Sequence, residues 1–355
     1  MMTQGTLHRK TIGIFGGGQL ARLMIPVAAR YGVPCHVFDR DASAPAFQLT
    51  PHHHVASFED ASAIDHFARA CDVITCEFEN IPITALQRAA QTTRVIPDPR
   101  HFAMAQDRLQ EKTMAQNVGL SVPLFADVTT QNDVTAFFHQ NGPAILKRRH
   151  GGYDGKGQKV VHTAKDLHDD AILLLLQAPC LIEALVPFTH EISTIAARGG
   201  SDTALLPIGD NHHHQGILQK TIVPSALSVS VLDQARRQTL DVMNHLHYQG
   251  ILTIEWFVTA QGDVLFNECA PRVHNTGHWS LEGCSLNQFD MAIRVLLGMP
   301  LPEPVLVSPR VEMLNLLGDA ILKRDVYERS PRTAVYDYGK PVFRTGRKMG
   351  HVTFF

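Results

Sequence analysis

The chain has 355 residues, room for about two or three domains, and its 45% hydrophobic and 19% charged content is that of a folded globular protein, not a disordered one. A formal net charge of -2 gives a nucleic-acid partner no general electrostatic support, although local basic clusters can still hold phosphates. Cys35, Cys71, Cys76, Cys180, Cys269 and Cys284 form no CxxC pair, the apolar run 171–176 is far too short to span a membrane, and MMTQGTLHRK lacks the apolar core of a signal peptide, so reduced thiols in a cytoplasmic protein are expected.

Thr11–Phe15 (TIGIF) reads as a short strand, followed by Gly16, Gly17 and Gly18, a helix over 19–31 and a second strand over 33–39. This strand, glycine turn, helix and strand form the βαβ start of a doubly wound domain. GGGQL is not a full GxGxxG, so a structural turn, or a loop near a substrate phosphate at a helix start, is favoured over a nicotinamide dinucleotide site. A buried strand at 71–76 runs into Glu77, at the sheet edge where such folds bind ligands. A helix over 83–92 and a short strand over 94–97 are expected to close this domain near Pro97 or Pro99. Residues 101–118 keep a helical register with Arg108 and Lys112 four apart on one face, either solvent-exposed or with Arg108 turned towards a phosphate.

A strand over 144–148 delivers Lys147 and Arg148 to the loop GGYDGKG at 151–157. Such a loop can close over nucleotide phosphates through backbone N–H groups and a lysine, or can be a plain tight hairpin. It is not the GxxxxGK[ST] of P-loop enzymes, and no HRD or DFG is present to suggest a protein kinase. Strands are expected near 179–183 and 188–196, the first ending in Glu183 and offering backbone edges to a base, the second carrying Glu191. A polar loop with Asn211 and His213 follows, then a helix over 227–246. The histidine triplets at 52–54 and 212–214 lack cysteine or carboxylate partners at zinc-site spacing.

The stretch VLFNECAPRVHNTGHW at 264–279 organises the rest: a strand ends in Asn267 and Glu268, and a Pro- and Gly-shaped loop then carries Arg272, His274 and Asn275. A strand over 253–257 carries Glu255, which can meet Glu268 across paired strands. Two carboxylates and an amide suit Mg2+ bridging phosphates, against the plainer reading of two ordinary strand-end acids. A core helix over 285–297 and strands over 311–317, 333–338 and 348–355 complete the chain. Lys340, Arg344, Arg347 and Lys348 concentrate positive charge in a turn, as a solvated run or as a phosphate pocket.

GGGQL at 16–20, EFEN at 77–80, QDRLQEK at 106–112, KRRHGGYDGKGQ at 147–158, NECAPRVHNTGHW at 267–279, NQF at 287–289 and GRKMGH at 346–351, in this order, resemble the 5-(carboxyamino)imidazole ribonucleotide synthases, ATP-grasp enzymes of purine synthesis. The resemblance implies an α/β and α+β ATP-grasp fold: a Rossmann-like domain over 1–100, an ATP-grasp region over 101–300 with a small lid over about 123–186, and a strand-rich substrate-phosphate region over 301–355. It implies that ATP and bicarbonate carboxylate 5-aminoimidazole ribonucleotide through carboxyphosphate, with Mg2+, in a cytoplasmic homodimer. Arg108 and Lys147 would then contact ATP phosphates beneath the loop of Gly152, Tyr153, Asp154, Gly155, Lys156 and Gly157. Glu183, Ala184, Leu185 and Val186 would line the adenine pocket, Glu191 would hold the ribose, and His213 or a neighbour in its triplet would face the nucleotide. Glu255 and Glu268 would hold Mg2+, with Asn267 beside them. Asp154, Arg272, His274 and Asn275 would form the catalytic group, around which Tyr153 also binds substrate. Lys340, Arg347 and Lys348 would take the ribonucleotide phosphate, completed by Gln19 and Glu77.

The chain departs from the family pattern at Lys156, often an arginine, and at Ala21 and Leu23 after GGGQL. The alternatives are another ATP-grasp ligase of purine synthesis, such as a formate-dependent glycinamide ribonucleotide transformylase, or a catalytically silent nucleotide-binding protein.

Overall fold

The structure is a computed structural model that describes residues 10–152 and 156–355. Ile12–Phe15 lies between Cys35–Asp39 and Val73–Cys76, with His53–Val55 outermost, in a four-stranded parallel sheet. Ile12–Phe15 and Val73–Cys76 are buried along their whole length, as a parallel sheet covered on two faces requires. Phe15, Phe38 and Phe67 pack beneath it with ring centroids 4.8–5.4 Å apart. Of the strand expected over 94–97, only a bridge from Val95 to Ile74 forms.

A nine-stranded antiparallel sheet forms the body. It runs from Val264–Ala270 through Gly250–Thr259, Phe188–Gly199, Gly209–His214, Ile217–Val223, Val311–Leu317 and Lys348–Phe354 to Thr333–Asp337. Asp202–Leu205 pairs on Phe188–Gly199 away from this path. The C-terminal strands therefore extend the sheet that carries Glu255 and Glu268. Gly209–His214 was expected as a polar loop and is a strand instead. Its Asn211 is buried, donating to Ser193 (3.1 Å) and accepting from Thr221 (2.9 Å), so side-chain partners on both neighbouring strands make a polar residue acceptable in the interior.

The third sheet orders Phe125–Val128, Cys180–Ala184, Ala144–Arg148 and Gln158–Val161 antiparallel. It packs with the helix Gln131–Asn141 around a separate apolar core that includes Phe137, Leu146, Leu175 and Ile182. The helical stretch expected over 101–118 is two helices, Pro99–Ala105 and Arg108–Asn117. Asp107 breaks it, because its carboxylate caps the second helix by accepting from Leu109 N–H at 3.0 Å. The first domain docks through its helix Gln19–Arg30 against Gln288–Leu297, where Arg30 and Tyr31 both reach Asp290 at 2.9 Å. All six cysteines are buried and unpaired. Among the described residues, no helix is long and apolar enough to cross a membrane.

Candidate active site

Residues from every part of the chain meet around one cavity of about 840 Å³. The first domain contributes Gln19 and Glu77, the start of the helix Arg108–Asn117 contributes Arg108, and the glycine-rich loop contributes Gly152 and Lys156. The central sheet and its loop contribute Glu255, Glu268, Arg272, His274 and Asn275, and the C-terminal turn contributes Lys340, Arg347 and Lys348. Tyr153, Asp154 and Gly155 lie outside the described residues. Lys147, Gly157, Glu183, Ala184, Leu185, Val186, Glu191, His213 and Asn267 do not line this cavity.

Glu255 and Glu268 are direct partners across the strands Gly250–Thr259 and Val264–Ala270. The register shifts immediately beyond them, Trp256 pairing with Phe266, so Asn267 is the extra residue of a bulge. A bulge breaks strict alternation, and here Asn267 and Glu268 are both partly exposed in succession. Burial pushes the Glu255 carboxyl up to about 7; Glu268 and Glu191 add to this against the pull of His213. Burial also opposes charge on Glu268, but Arg108, at 3.0 Å, wins and holds its pKa below the ordinary value. The donor set fits a hard divalent cation: two facing carboxylates, one of them raised in part by the other's charge. Among the described residues, no group of three His, Cys, Asp or Glu side chains can hold a metal. The rest of a coordination shell would come from phosphate and water oxygens.

Arg272 is held by an ion pair with Glu79 and donates to the Val273 carbonyl at 2.9 Å. His274 stands 3.5 Å from Glu255, with Nδ1 2.9 Å from the Thr276 hydroxyl. Burial, with Arg272 and Lys348 nearby, drives the His274 pKa well below its usual value, so this imidazole is neutral near pH 7. Asn275 donates to Asn315 at 3.1 Å. His213 pairs with Glu191; burial works against its charge, but the Glu191 bond prevails and raises its pKa.

Lys147 extends from its strand into a buried cluster rather than into the cavity. Its ammonium lies 3.1 Å from Glu183, and Lys112, fully buried, lies 3.4 Å from the same carboxylate oxygen. Glu183 thus joins two cations as well as belonging to the strand expected to border a base. Burial disfavours its charge, yet Lys112 and Lys147 together hold its pKa down to about 2. Lys147→Ala is expected to lower kcat/KM for ATP by about tenfold or more, the scale of a lost charge-assisted contact, with a smaller change in ribonucleotide binding. Titration calorimetry with each ligand, read beside turnover, checks this; unchanged nucleotide affinity together with unchanged turnover would rule against the phosphate contact expected of Lys147.

The glycine turn has the structural role that was one of its two expected readings. Glu77 accepts from the backbone N–H groups of Gly18 (3.0 Å) and Leu20 (3.1 Å), and Asp39 accepts from Gly17 (2.6 Å). The protein's own carboxylates therefore occupy the helix N-terminus. A Cβ at position 18 would sit 2.5 Å from Glu77 Oε1, so the close approach requires glycine there. Lys340 completes this corner, donating to Gln19 and to the Lys348 carbonyl, each at 2.6 Å.

Sequence reasoning missed Glu111, Lys112, Glu79 and the Asp107–Arg149 pair. Glu111 lines the cavity and accepts from Cys269 N–H; burial, then Glu268, pushes it up to about 7. The i, i+3, i+4 spacing of Arg108, Glu111 and Lys112 was a usable signal that all three share one face. Arg149 pairs with Asp107 through Nε at 2.9 Å, and its carbonyl accepts from Arg108 N–H at 3.1 Å, which clasps the start of the glycine loop to the helix junction.

Residues 113–289 match the ATP-grasp domain, 9–106 the ribonucleotide synthetase pre-ATP-grasp domain, and 312–355 the phosphoribosylaminoimidazole carboxylase C-terminal domain. Over 346 residues the chain is 38% identical to the N5-carboxyaminoimidazole ribonucleotide synthase of Brucella melitensis, covering 97% of this chain and 95% of that one. The chain belongs to the N5-carboxyaminoimidazole ribonucleotide synthase family. A member of this family solved as an ADP complex superposes with a TM-score of 0.93 at 36% identity, over 99% of this chain and 94% of the other. The enzyme from Aspergillus clavatus, solved with ADP and 5-aminoimidazole ribonucleotide, gives 0.90 at 25% identity over 98% and 94%. The ATP-grasp architecture expected from the sequence, with a Rossmann-like first domain and strand-rich C-terminus, is thereby established.

Proposed function

We propose that this chain carboxylates 5-aminoimidazole ribonucleotide at its exocyclic amine, consuming ATP and bicarbonate and yielding ADP and phosphate. It is an ATP-dependent ligase that forms a C–N bond in purine biosynthesis. The observation that carries the residue roles is the shared cavity, in which the acids Glu255 and Glu268 and the C-terminal cations line one space with Arg272 and His274.

Bicarbonate is a poor electrophile, and transfer of the ATP γ-phosphoryl group to its oxygen makes carboxyphosphate. Breaking the carboxyphosphate C–O bond releases CO2 and phosphate; the amine nitrogen then bonds to the CO2 carbon, and the released phosphate takes the amine proton. Arg108, Lys147 and Arg272 offset charge on the transferring oxygens. Glu255 and Glu268 would hold Mg2+, with Asn267 beside them in the chain, and the ion when bound would neutralise phosphate charge. The neutral imidazole of His274 and the amide of Asn275 orient bicarbonate and the aminoimidazole without adding charge. The glycine loop, with Gly152, Lys156 and Gly157 and with Tyr153, Asp154 and Gly155 beyond the described residues, closes over the phosphates and limits hydrolysis of the intermediate. Ala184, Leu185 and Val186 supply the adenine edge, Glu191 with His213 the ribose side, and Glu183 braces Lys147. Gln19, Glu77, Lys340, Arg347 and Lys348 form the ribonucleotide end. Family membership supports a homodimer, and six buried unpaired cysteines are consistent with a reducing cytoplasm.

Arg347 lines the cavity and donates to the Val342 carbonyl at 2.6 Å, which leaves other guanidinium hydrogens to bind an anion. Arg347→Ala is expected to raise KM for 5-aminoimidazole ribonucleotide about 10- to 100-fold with little change for ATP. Arg344 also lines the cavity, so a control for lost charge belongs on the exposed Arg237. Steady-state kinetics in each substrate, with ADP and carboxylated product both measured, decides. A large effect on ATP alone would overturn this phosphate pocket.

A further inference from the structure

We propose that Gln288 is a positioning residue of this reaction, whose side-chain amide sets the backbone that presents His274 and Asn275 to the cavity. The inference rests on the roles given above to those two residues. Gln288 is fully buried at the start of the helix Gln288–Leu297. Its Oε1 accepts from the backbone N–H of His274 at 2.8 Å, and its Nε2 donates to the carbonyl of the same residue at 2.8 Å. One amide thus holds both polar groups of one residue, as a neighbouring strand would. Because the His274 N–H needs an acceptor, the orientation of the amide is decided, and its NH2 group faces both the His274 carbonyl and His278.

The second hydrogen of Nε2 is directed to His278 Nδ1 at 2.9 Å. An amide NH2 only donates, so His278 Nδ1 is an acceptor and its proton sits on Nε2. The backbone of Gln288 is tied to the same loop: its N–H donates to Ser280 Oγ at 3.1 Å, and Ser280 donates to the Gly277 carbonyl at 2.6 Å. The fit is close, since a Cβ at Gly277 would come 2.7 Å from Gln288 Oε1. Residues 274–277 form a turn with few ladder bonds of their own, so the amide fixes where this turn sits. The imidazole 3.5 Å from Glu255 and the Asn275 amide on Asn315 both hang from that turn. Gln288 lines no part of the cavity, so its effect on chemistry passes through His274 and Asn275.

Gln288→Met keeps the volume and removes every bond of the amide. It is expected to lower kcat about 10-fold or more, because small misplacements of reacting groups are costly, while KM for ATP changes less than about threefold. Gln288→Glu gives a test that packing alone does not mimic. A neutral carboxyl has one acceptor oxygen and one O–H donor, so it can restore the His274 N–H bond and one of the two donations. Burial raises its pKa, and loss of its proton leaves an anion facing two acceptors. The ratio of variant to wild-type kcat should therefore be highest near about pH 6 and fall as pH rises towards about 9, measured on the folded enzyme below its melting temperature. Wild-type kcat in Gln288→Met, with only a lower Tm, would overturn the proposal. If Gln288→Met does not fold, a pH-independent ratio in Gln288→Glu would overturn it equally. His274→Ala is measured alongside: wild-type turnover there removes the reading of the site itself, whereas lost turnover there with normal kcat in Gln288→Met removes this inference alone.

Discussion

Glu268→Gln is expected to cut turnover by about 100-fold or more while leaving the fold in place, the scale on which removal of a charged group acting on transferring oxygens is usually felt. Glu268 faces Glu255 across paired strands and meets Arg108 at 3.0 Å. The amide keeps the shape and one acceptor oxygen but no charge. Stability should change little, because removal of the Glu268 charge breaks one ion pair and at the same time relieves the two carboxyls that it raises, Glu255 and Glu111. Steady-state turnover across a Mg2+ titration, with a thermal melt of the same preparation, measures both. Wild-type turnover at ordinary Mg2+ would end the assignment of Glu268 to the metal.

The largest stability effect is expected at Glu183. Glu183→Gln leaves Lys112 and Lys147 buried around a neutral amide, and an uncompensated buried charge typically costs about 3–5 kcal/mol. Lys112→Met should cost less, because Lys147 still faces the carboxylate at 3.1 Å. The sign of the pH dependence follows from a folded pKa held down to about 2, below the ordinary carboxylate value. The stabilisation from ionised Glu183 is complete above the unfolded pKa of about 4.3 and is lost as pH falls towards 2. The gap between wild type and Glu183→Gln in denaturant melts should therefore be widest near neutrality and narrow across that acid window. A gap that is small at pH 7 or constant with pH would mean that the two lysines find other partners or lose their charge.

Much of this site was legible because its residues stand where short-range rules operate. Apolar runs ending in Asn267 and Glu268, and a second strand carrying Glu255, were enough to place two acids opposite each other, since cross-strand pairing is a local geometric matter. What escaped depends on partners distant in sequence. Lys112 looked like half of an exposed helical pair, but its partners are distant: Glu183, seventy-one positions further on, and Phe266, whose carbonyl accepts from its ammonium at 3.4 Å. Asn211 looked like loop because its partners, Ser193 and Thr221, lie on neighbouring strands. The glycine turn was open to a structural or a phosphate-side reading, because its partner Glu77 comes from a different strand. The helix Gln131–Asn141, by contrast, announces its start locally through the capping box of Thr130 and Asp133.

The small four-stranded sheet has an apolar interior of its own, while Lys112 and Asp107 reach it from the helix junction through ions, at Glu183 and Arg149. Such a unit can open locally at a free energy below that of global unfolding. Its interior is apolar, whereas ion pairs contribute to its attachment to the body. Substitutions at Glu183 or Arg149 would then act on the attachment of this sheet, and substitutions at Leu146 or Ile182 on its interior.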